Sequence, residues 1–264
     1  MPRRIALRGV ALLYLLLVLL APLAMVFYRT FQNGLEPVWQ ALSDPLTVHA
    51  FEITLIAAAI AVPLNTVFGV LCGLAIVRRL FRGKGLLNAF IDLPLAVSPV
   101  VVGLALYLLY GINGWFGPWL QGHGIRVLFA LPSIVLATIF VSVPFVAREV
   151  IPTLRELGNE QEQAAATLGA TRWQRFWRIT LPSIRWAVIY GVILTTARCL
   201  GEFGAVAVVS GRIEGQTETA TTRVDDLVQN FQTSGAYAIS VVLALIAVTV
   251  LILMTLTKPK EEAA

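Results

Sequence analysis

Residues 53–77 read ITLIAAAIAVPLNTVFGVLCGLAIV, a run without one Asp, Glu, Lys, Arg or His. The hydrocarbon core of a bilayer is about 30 Å thick, so a helix rising 1.5 Å per residue needs about 20 mostly apolar residues to cross it. This run meets that length, and five more do so at about 10–28, 86–110, 128–147, 186–209 and 236–256. Six such stretches predict an all-α membrane protein, one transmembrane domain over residues 1–264, with nothing between the spans that could form a second core. Composition agrees: 58% of residues are hydrophobic and 13% charged, against about 25% charged in soluble domains. The mean hydropathy is +0.80.

The first stretch admits a second reading as a signal peptide, because Pro2-Arg3-Arg4 is a basic lead and Ala21-Pro22-Leu23-Ala24 loosely resembles a cleavage site. Its apolar run is long for that role and reaches Tyr28, which favours a retained helix. Prolines are expected to interrupt three spans: Pro63 with Asn65 in the second, Pro94 and Pro99 in the third, Pro132 and Pro144 in the fourth. Cys72 and Cys199 sit in apolar runs as packing residues, and His49 and His123 lie in polar connections. Neither pair offers a disulfide framework or metal-ligand spacing.

Orientation follows from the placement of Lys and Arg. Arg3, Arg4 and Arg8 precede the first span; Arg78, Arg79, Arg82 and Lys84 follow the second; Lys258 and Lys260 end the chain. The long fourth connection adds Arg148, Arg155, Arg172, Arg175, Arg178 and Arg185, making fifteen on one side against Arg29, Arg126, Arg212 and Arg223 on the other. By the positive-inside rule both termini and the fourth connection are cytoplasmic. Arg198 is left over and falls inside the fifth span.

The stretch Arg148–Pro182 is too polar for membrane and reads as two short helices. Asn159 is expected to cap the first, with Glu162 three residues on completing a capping box, and Gly169 to close it in the left-handed conformation. Gln163-Ala164-Ala165-Ala166 gives this helix a smooth face that a partner's groove can approach. The second helix, Thr171 to Thr180, alternates Arg172, Arg175 and Arg178 with Trp173, Phe176, Trp177 and Ile179, a composition suited to the headgroup level of a bilayer. Pro182 should end it and pass the chain to the fifth span. There Thr195, Arg198 and Glu202 fall on one helix face. Charges at that depth cost about 2.5–3.5 kcal/mol each on insertion scales, so they are expected to pair with each other, to line a pathway, or both.

The pattern Gln163-Ala164-Ala165, Gly169, nine residues, then Ile179-Thr180-Leu181-Pro182 resembles the EAA loop of ATP-binding-cassette importer permeases. That resemblance implies the type I importer permease fold, with residues 159–171 as a coupling helix seated in a cleft of a cytosolic ATPase. It also implies that Glu162, Gln163, Ala164, Ala165, Gly169, Leu181 and Pro182 carry the coupling; Gln163 stands where that family usually has glutamate, with Glu162 beside it. Around Arg148-Glu149-Val150-Ile151-Pro152, Arg198-Cys199-Leu200-Gly201-Glu202-Phe203-Gly204-Ala205-Val206 and Val208-Val209-Ser210-Gly211 the chain is similar to CysW-type permease subunits of sulfate and thiosulfate importers. The similarity covers about residues 50–256. The run Gly201–Gly204 is shared with molybdate and tungstate permeases, and Ile213-Glu214-Gly215 departs from the Ile-Arg-Gly usual in the sulfate subunits. The resemblance implies a bacterial inner-membrane, multi-pass location and a complex of a second, CysT-like permease subunit, two CysA-like ATPases and a periplasmic sulfate-binding protein.

No G-x-x-x-x-G-K-[ST] occurs in the chain, and Gly83-Lys84-Gly85 lacks the rest of that motif, so ATP and Mg are expected on the partner ATPase and no cofactor on this chain. An intramembrane enzyme is disfavoured: there is no H-E-x-x-H, no histidine in a span, and Asp92 is solitary. Neither a catalytic residue, a metal site nor a nucleic-acid interface is expected. An inert scaffold would leave the loop without a purpose.

Overall fold

The computed structural model describes Val10, Leu13, Tyr14 and residues 16–257; Arg3, Arg4, Arg8, Lys258 and Lys260 from the charge partition lie outside the described residues. The described chain is all-helical. After a π turn at Leu16–Leu20 come α1 (Ala21–Phe31), α2 (Glu36–Ser43), α3 (Pro45–Arg78), α4 (Lys84–Ala96), α5 (Pro99–Tyr110), α6 (Gly117–Gly122), α7 (Leu131–Ser142) and α8 (Pro144–Glu156). There follow α9 (Glu160–Thr167), α10 (Arg172–Arg175), a π turn at Phe176–Thr180, α11 (Leu181–Ser183), α12 (Arg185–Leu200), α13 (Gly204–Val209), α14 (Ala220–Gln229) and α15 (Thr233–Thr257).

Three continuous helices are long and apolar enough to cross a membrane, Pro45–Arg78, Leu131–Glu156 and Thr233–Thr255, and the total reaches six if each of three bent pairs is one span. The sequence boundaries shift accordingly. The second span starts at Pro45 because Asp44 caps it, accepting the Thr47 N–H at 3.2 Å. It runs unbroken through Pro63, against the expected interruption. Asn65, paired with Pro63 in that expectation, instead donates across the bundle to the Ile139 carbonyl (3.0 Å) and the Ser142 hydroxyl (2.8 Å). Ser142 also receives the Cys199 thiol at 3.4 Å, so one buried polar node joins α3, α7 and α12.

The third span, expected as one helix over 86–110, is two helices bent by 110°. Ser98 precedes Pro99 and is driven to ψ 135°, which ends helical continuity. The fourth runs on to Glu156, so the connection expected from Arg148 begins at Leu157. The fifth, expected over 186–209, stops at Leu200; Gly201, Glu202 and Phe203 break it before α13.

Close packing holds α8 at the centre. A methyl on Gly69 of α3 or on Gly191 of α12 would lie 2.8 Å from Val146 atoms of α8, so both neighbours press on one residue. Val70, Val146, Val150, Leu154 and Ile184 form the cluster at the end that carries the loop between α8 and α12. A second cluster unites Ile53, Val102, Ile134, Val141 and Val206 toward the opposite end.

Candidate coupling and translocation sites

The loop helix α9 is built by its ends. Gly158 enters it and Gly169 leaves it, both at positive φ (62° and 84°). The Gly169 N–H donates to the Ala166 carbonyl and the Ala170 N–H to the Ala165 carbonyl, each at 3.0 Å, the paired bonds of a Schellman stop. The expected Asn159–Glu162 capping box is absent: Asn159 makes no side-chain cap. Glu162 is drawn elsewhere. Its Oε1 accepts from Arg78 Nε at 3.1 Å and from the Thr180 hydroxyl at 3.0 Å. The capping box lies one helix later, where Thr171 and Gln174 exchange bonds of 2.9 and 3.3 Å at the start of α10.

Glu162 therefore points inward as a tether from the loop to the end of α3, and Arg78 fixes the far side by donating to the Leu154 carbonyl at 3.1 Å. Gln163 and Ala164 are exposed, Ala165 half-buried, and Leu168 is 88% exposed. The result is a helix held by one carboxylate, with a small, uncharged face turned out. Sequence reasoning missed Arg78 and Thr180, counted only as a topological charge and a motif position. It also missed Leu168, whose signal was an apolar residue in a polar stretch.

Beyond Gly169 the expected second helix is segmented. A π turn follows α10, Leu181 is half-buried, and Pro182 is exposed in the three-residue α11. The 68° bend between this run and α12 falls at Ile184, which is fully buried against Val70, Val146, Val150 and Leu154. The loop is thus joined to the bundle at a packed bend, with Ile184 buried between α3 and α8.

The residues Thr195, Arg198 and Glu202 do not share one helix. Thr195 is buried and spends its hydroxyl on the Gly191 carbonyl (2.7 Å). Arg198 is in the last turn of α12, and Glu202 lies past its end. They still meet, with Arg198 Nη1 2.6 Å from Glu202 Oε2, and the Glu202 side chain is 2% exposed against 28% for Arg198. The other oxygen of Glu202 accepts the Ala205 N–H at 2.8 Å, and its backbone carbonyl accepts the Thr221 hydroxyl at 2.7 Å. One carboxylate so pins the break between α12 and α13.

A polar cluster not foreseen in the sequence sits beyond α13. Arg223, 7% exposed, contacts Asp44 (3.3 Å), Glu214 (3.2 Å) and Glu218 (3.5 Å), while Arg212 contacts Asp225 (2.6 Å) and Asp226 (3.4 Å). Burial of Glu218 raises its pKa to about 7; Arg223 opposes that rise, and Asp226 and Glu214 add to it. No group of His, Cys, Asp or Glu with metal-binding geometry exists among the described residues.

Residues 65–262 match the family described as binding-protein-dependent transport system inner membrane component. The chain belongs to that family. This inner membrane component is 53% identical to the sulfate transport system permease protein CysW of Synechocystis, over 93% of this chain and 89% of the relative. It is 45% identical to the CysW of Escherichia coli K12, over 96% and 87%, and 41% identical to the CysT of the same organism, over 89% and 86%. A chain of the bacterial alginate ABC transporter, crystallised with its pentasaccharide-bound periplasmic protein, superposes with a TM-score of 0.78 at 18% identity, covering 96% of this chain and 91% of that one. The fold is therefore that of ABC transporter membrane subunits, as the EAA-loop resemblance implies.

Proposed function

We propose that this chain is one permease subunit of an ATP-driven importer that carries sulfate or thiosulfate into the cytoplasm. The observation that carries the reading is the loop helix α9: exposed on a smooth face, stopped at Gly169, and locked to the bundle through Glu162 and Ile184. An exposed, small-residue helix tied to the bundle suits a part that takes force from an ATPase. Sulfate as cargo is supported by CysW relatives 45–53% identical over nearly the whole chain. Glu214, which departs from the usual arginine, pairs with Arg223 instead of presenting free charge to an anion.

In this reading the ATPase-coupling residues are Glu162, Gln163, Ala164, Ala165, Gly169, Leu181 and Pro182. Glu162 acts as the internal tether and Gln163, Ala164 and Ala165 as the docking face. ATP and Mg are held by two cytosolic ATPase subunits, a CysT-like chain completes the channel, and a periplasmic sulfate-binding protein delivers the ion. Both termini are cytoplasmic. Of the three expected pathway residues, Arg198 and Glu202 belong to the translocation pathway, with Glu202 holding Arg198 where a passing anion meets it, while Thr195, fully buried, packs inside the bundle. Radiolabelled sulfate uptake by the reconstituted complex tests the proposal: uptake should require ATP and be inhibited by unlabelled thiosulfate. Transport that prefers molybdate or tungstate would move the cargo to that branch, and uptake indifferent to ATP would reject the importer.

A further inference from the structure

A cavity of about 670 Å³ opens between the end of α3 and the second loop helix. One wall is apolar, with Leu71, Leu74 and Ala75 of α3 and Phe176 opposite; the other is cationic, with Arg78, Arg79, Arg172 and Arg175. The one acid on the lining, Glu162, is committed to Arg78 and Thr180. Arg79 and Arg172 are exposed, and neither has an ion pair among the described residues. Arg175 donates weakly to the Glu162 carbonyl (3.5 Å), and its Nε is buried without an acceptor.

Its two walls are ordered along the membrane normal. Leu71 precedes Arg78 by seven residues, about 10 Å of helix at 1.5 Å per residue, so the cavity passes from the apolar span to its charged end. Trp173 and Trp177, next in sequence to the lining residues Arg172 and Phe176, are 69% and 50% exposed and packed edge to face, a composition found at headgroup level.

We propose that this cavity binds the phosphodiester headgroup of an anionic phospholipid of the cytoplasmic leaflet. Arg79 and Arg172 donate to the phosphate oxygens, and the first acyl carbons lie on Leu71, Leu74 and Phe176. A free sulfate or phosphate offers the same tetrahedral oxyanion, but it leaves the apolar wall unused and fills little of a space equal to roughly twenty waters at ~30 Å³ each. Because Arg175 lines the cavity and touches the Glu162 backbone, the bound lipid braces the helix α9. The leaflet assignment rests on the orientation proposed above; the binding itself does not.

Native mass spectrometry of the detergent-purified complex, offered equal phosphatidylglycerol and phosphatidylcholine of matched acyl chains, tests it. Phosphatidylglycerol should be retained in preference, and Arg79→Gln with Arg172→Gln should weaken that retention about tenfold or more, the loss expected for charge-assisted bonds. Arg126→Gln, distant from the cavity, should change nothing. If the double variant is not recovered folded, Arg79→Gln alone, in the connection after α3, should still show a several-fold loss. Equal retention of the two lipids, or retention unaltered by these substitutions, would overturn the site. Displacement of the lipid by millimolar inorganic phosphate or sulfate would overturn the lipid assignment in favour of a free-oxyanion site.

Discussion

At the scale of single residues, the Arg198–Glu202 contact and the Glu218 carboxyl make opposite demands on charge. Arg198→Ala leaves the Glu202 carboxylate buried and unpaired, a loss of about 3–5 kcal/mol in a dry setting. Glu202→Gln keeps an acceptor for the Ala205 N–H and leaves a guanidinium that is 28% exposed and can hydrate. Arg198→Ala should therefore reduce the thermal stability of the detergent-solubilised protein far more than Glu202→Gln; equal losses would contradict the geometry. The double variant Arg198→Gln with Glu202→Gln should fold and assemble yet lose transport, and normal transport would remove Arg198 from the pathway. Glu218 binds its proton more tightly folded than unfolded, with a pKa of about 7 against 4.5. The folded state then holds more protons between those values, so stability is full below about 4.5 and falls as pH rises through about 7. Glu218→Gln should flatten that fall in a melting-temperature series across pH, and an unchanged slope would assign it to another group.

At the scale of elements, the loop helix is the part whose failure modes separate most cleanly. Gly169→Val must place a β-branched residue at φ 84°, and a bulky residue at Ala165 spoils the docking face. Both should abolish uptake and co-purification of the ATPases while leaving membrane insertion intact. Glu162→Ala should instead retain the ATPases and lose uptake, because the helix still docks but is no longer tied to Arg78 and Thr180; loss of ATPase binding would place Glu162 at the interface after all. Much of this loop was legible in the sequence, since Gly169 and the small-residue face announce themselves by residue type. Glu162 was not, because its partners lie 84 residues before it and 18 after it. The spans show the same division. Hydropathy finds the apolar runs, but Pro63 and Pro99 look alike in sequence and only the second breaks its helix. Pro63 lies within the continuous helix Pro45–Arg78, whereas Pro99 opens α5 after an extended Ser98. Glu202 was read as one turn beyond Arg198 on a helix; the break at Gly201 changes the frame, although the pairing survives because both side chains are long.

At the scale of the whole molecule, the packed hinge at Ile184 joins the loop between α8 and α12 to the helices that form the core, and the charge partition predicts that this loop faces the cytoplasm. Cysteines placed at Asn33, Gly122 and Gln216, all exposed, should react with an impermeant thiol reagent from outside, and one at Gly83 should not. Reversed labelling would put the loop on the wrong side for a cytosolic ATPase. The central claim, that ATP hydrolysed by a partner moves sulfate through this chain by way of α9, is tested most directly by radiolabelled sulfate uptake into proteoliposomes holding the complete complex, wild type beside Gly169→Val. The wild type should accumulate sulfate only when ATP and the binding protein are both supplied, and the variant should not accumulate it under any condition. Uptake by the wild type without ATP, or undiminished ATP-driven uptake by the variant, would contradict the account.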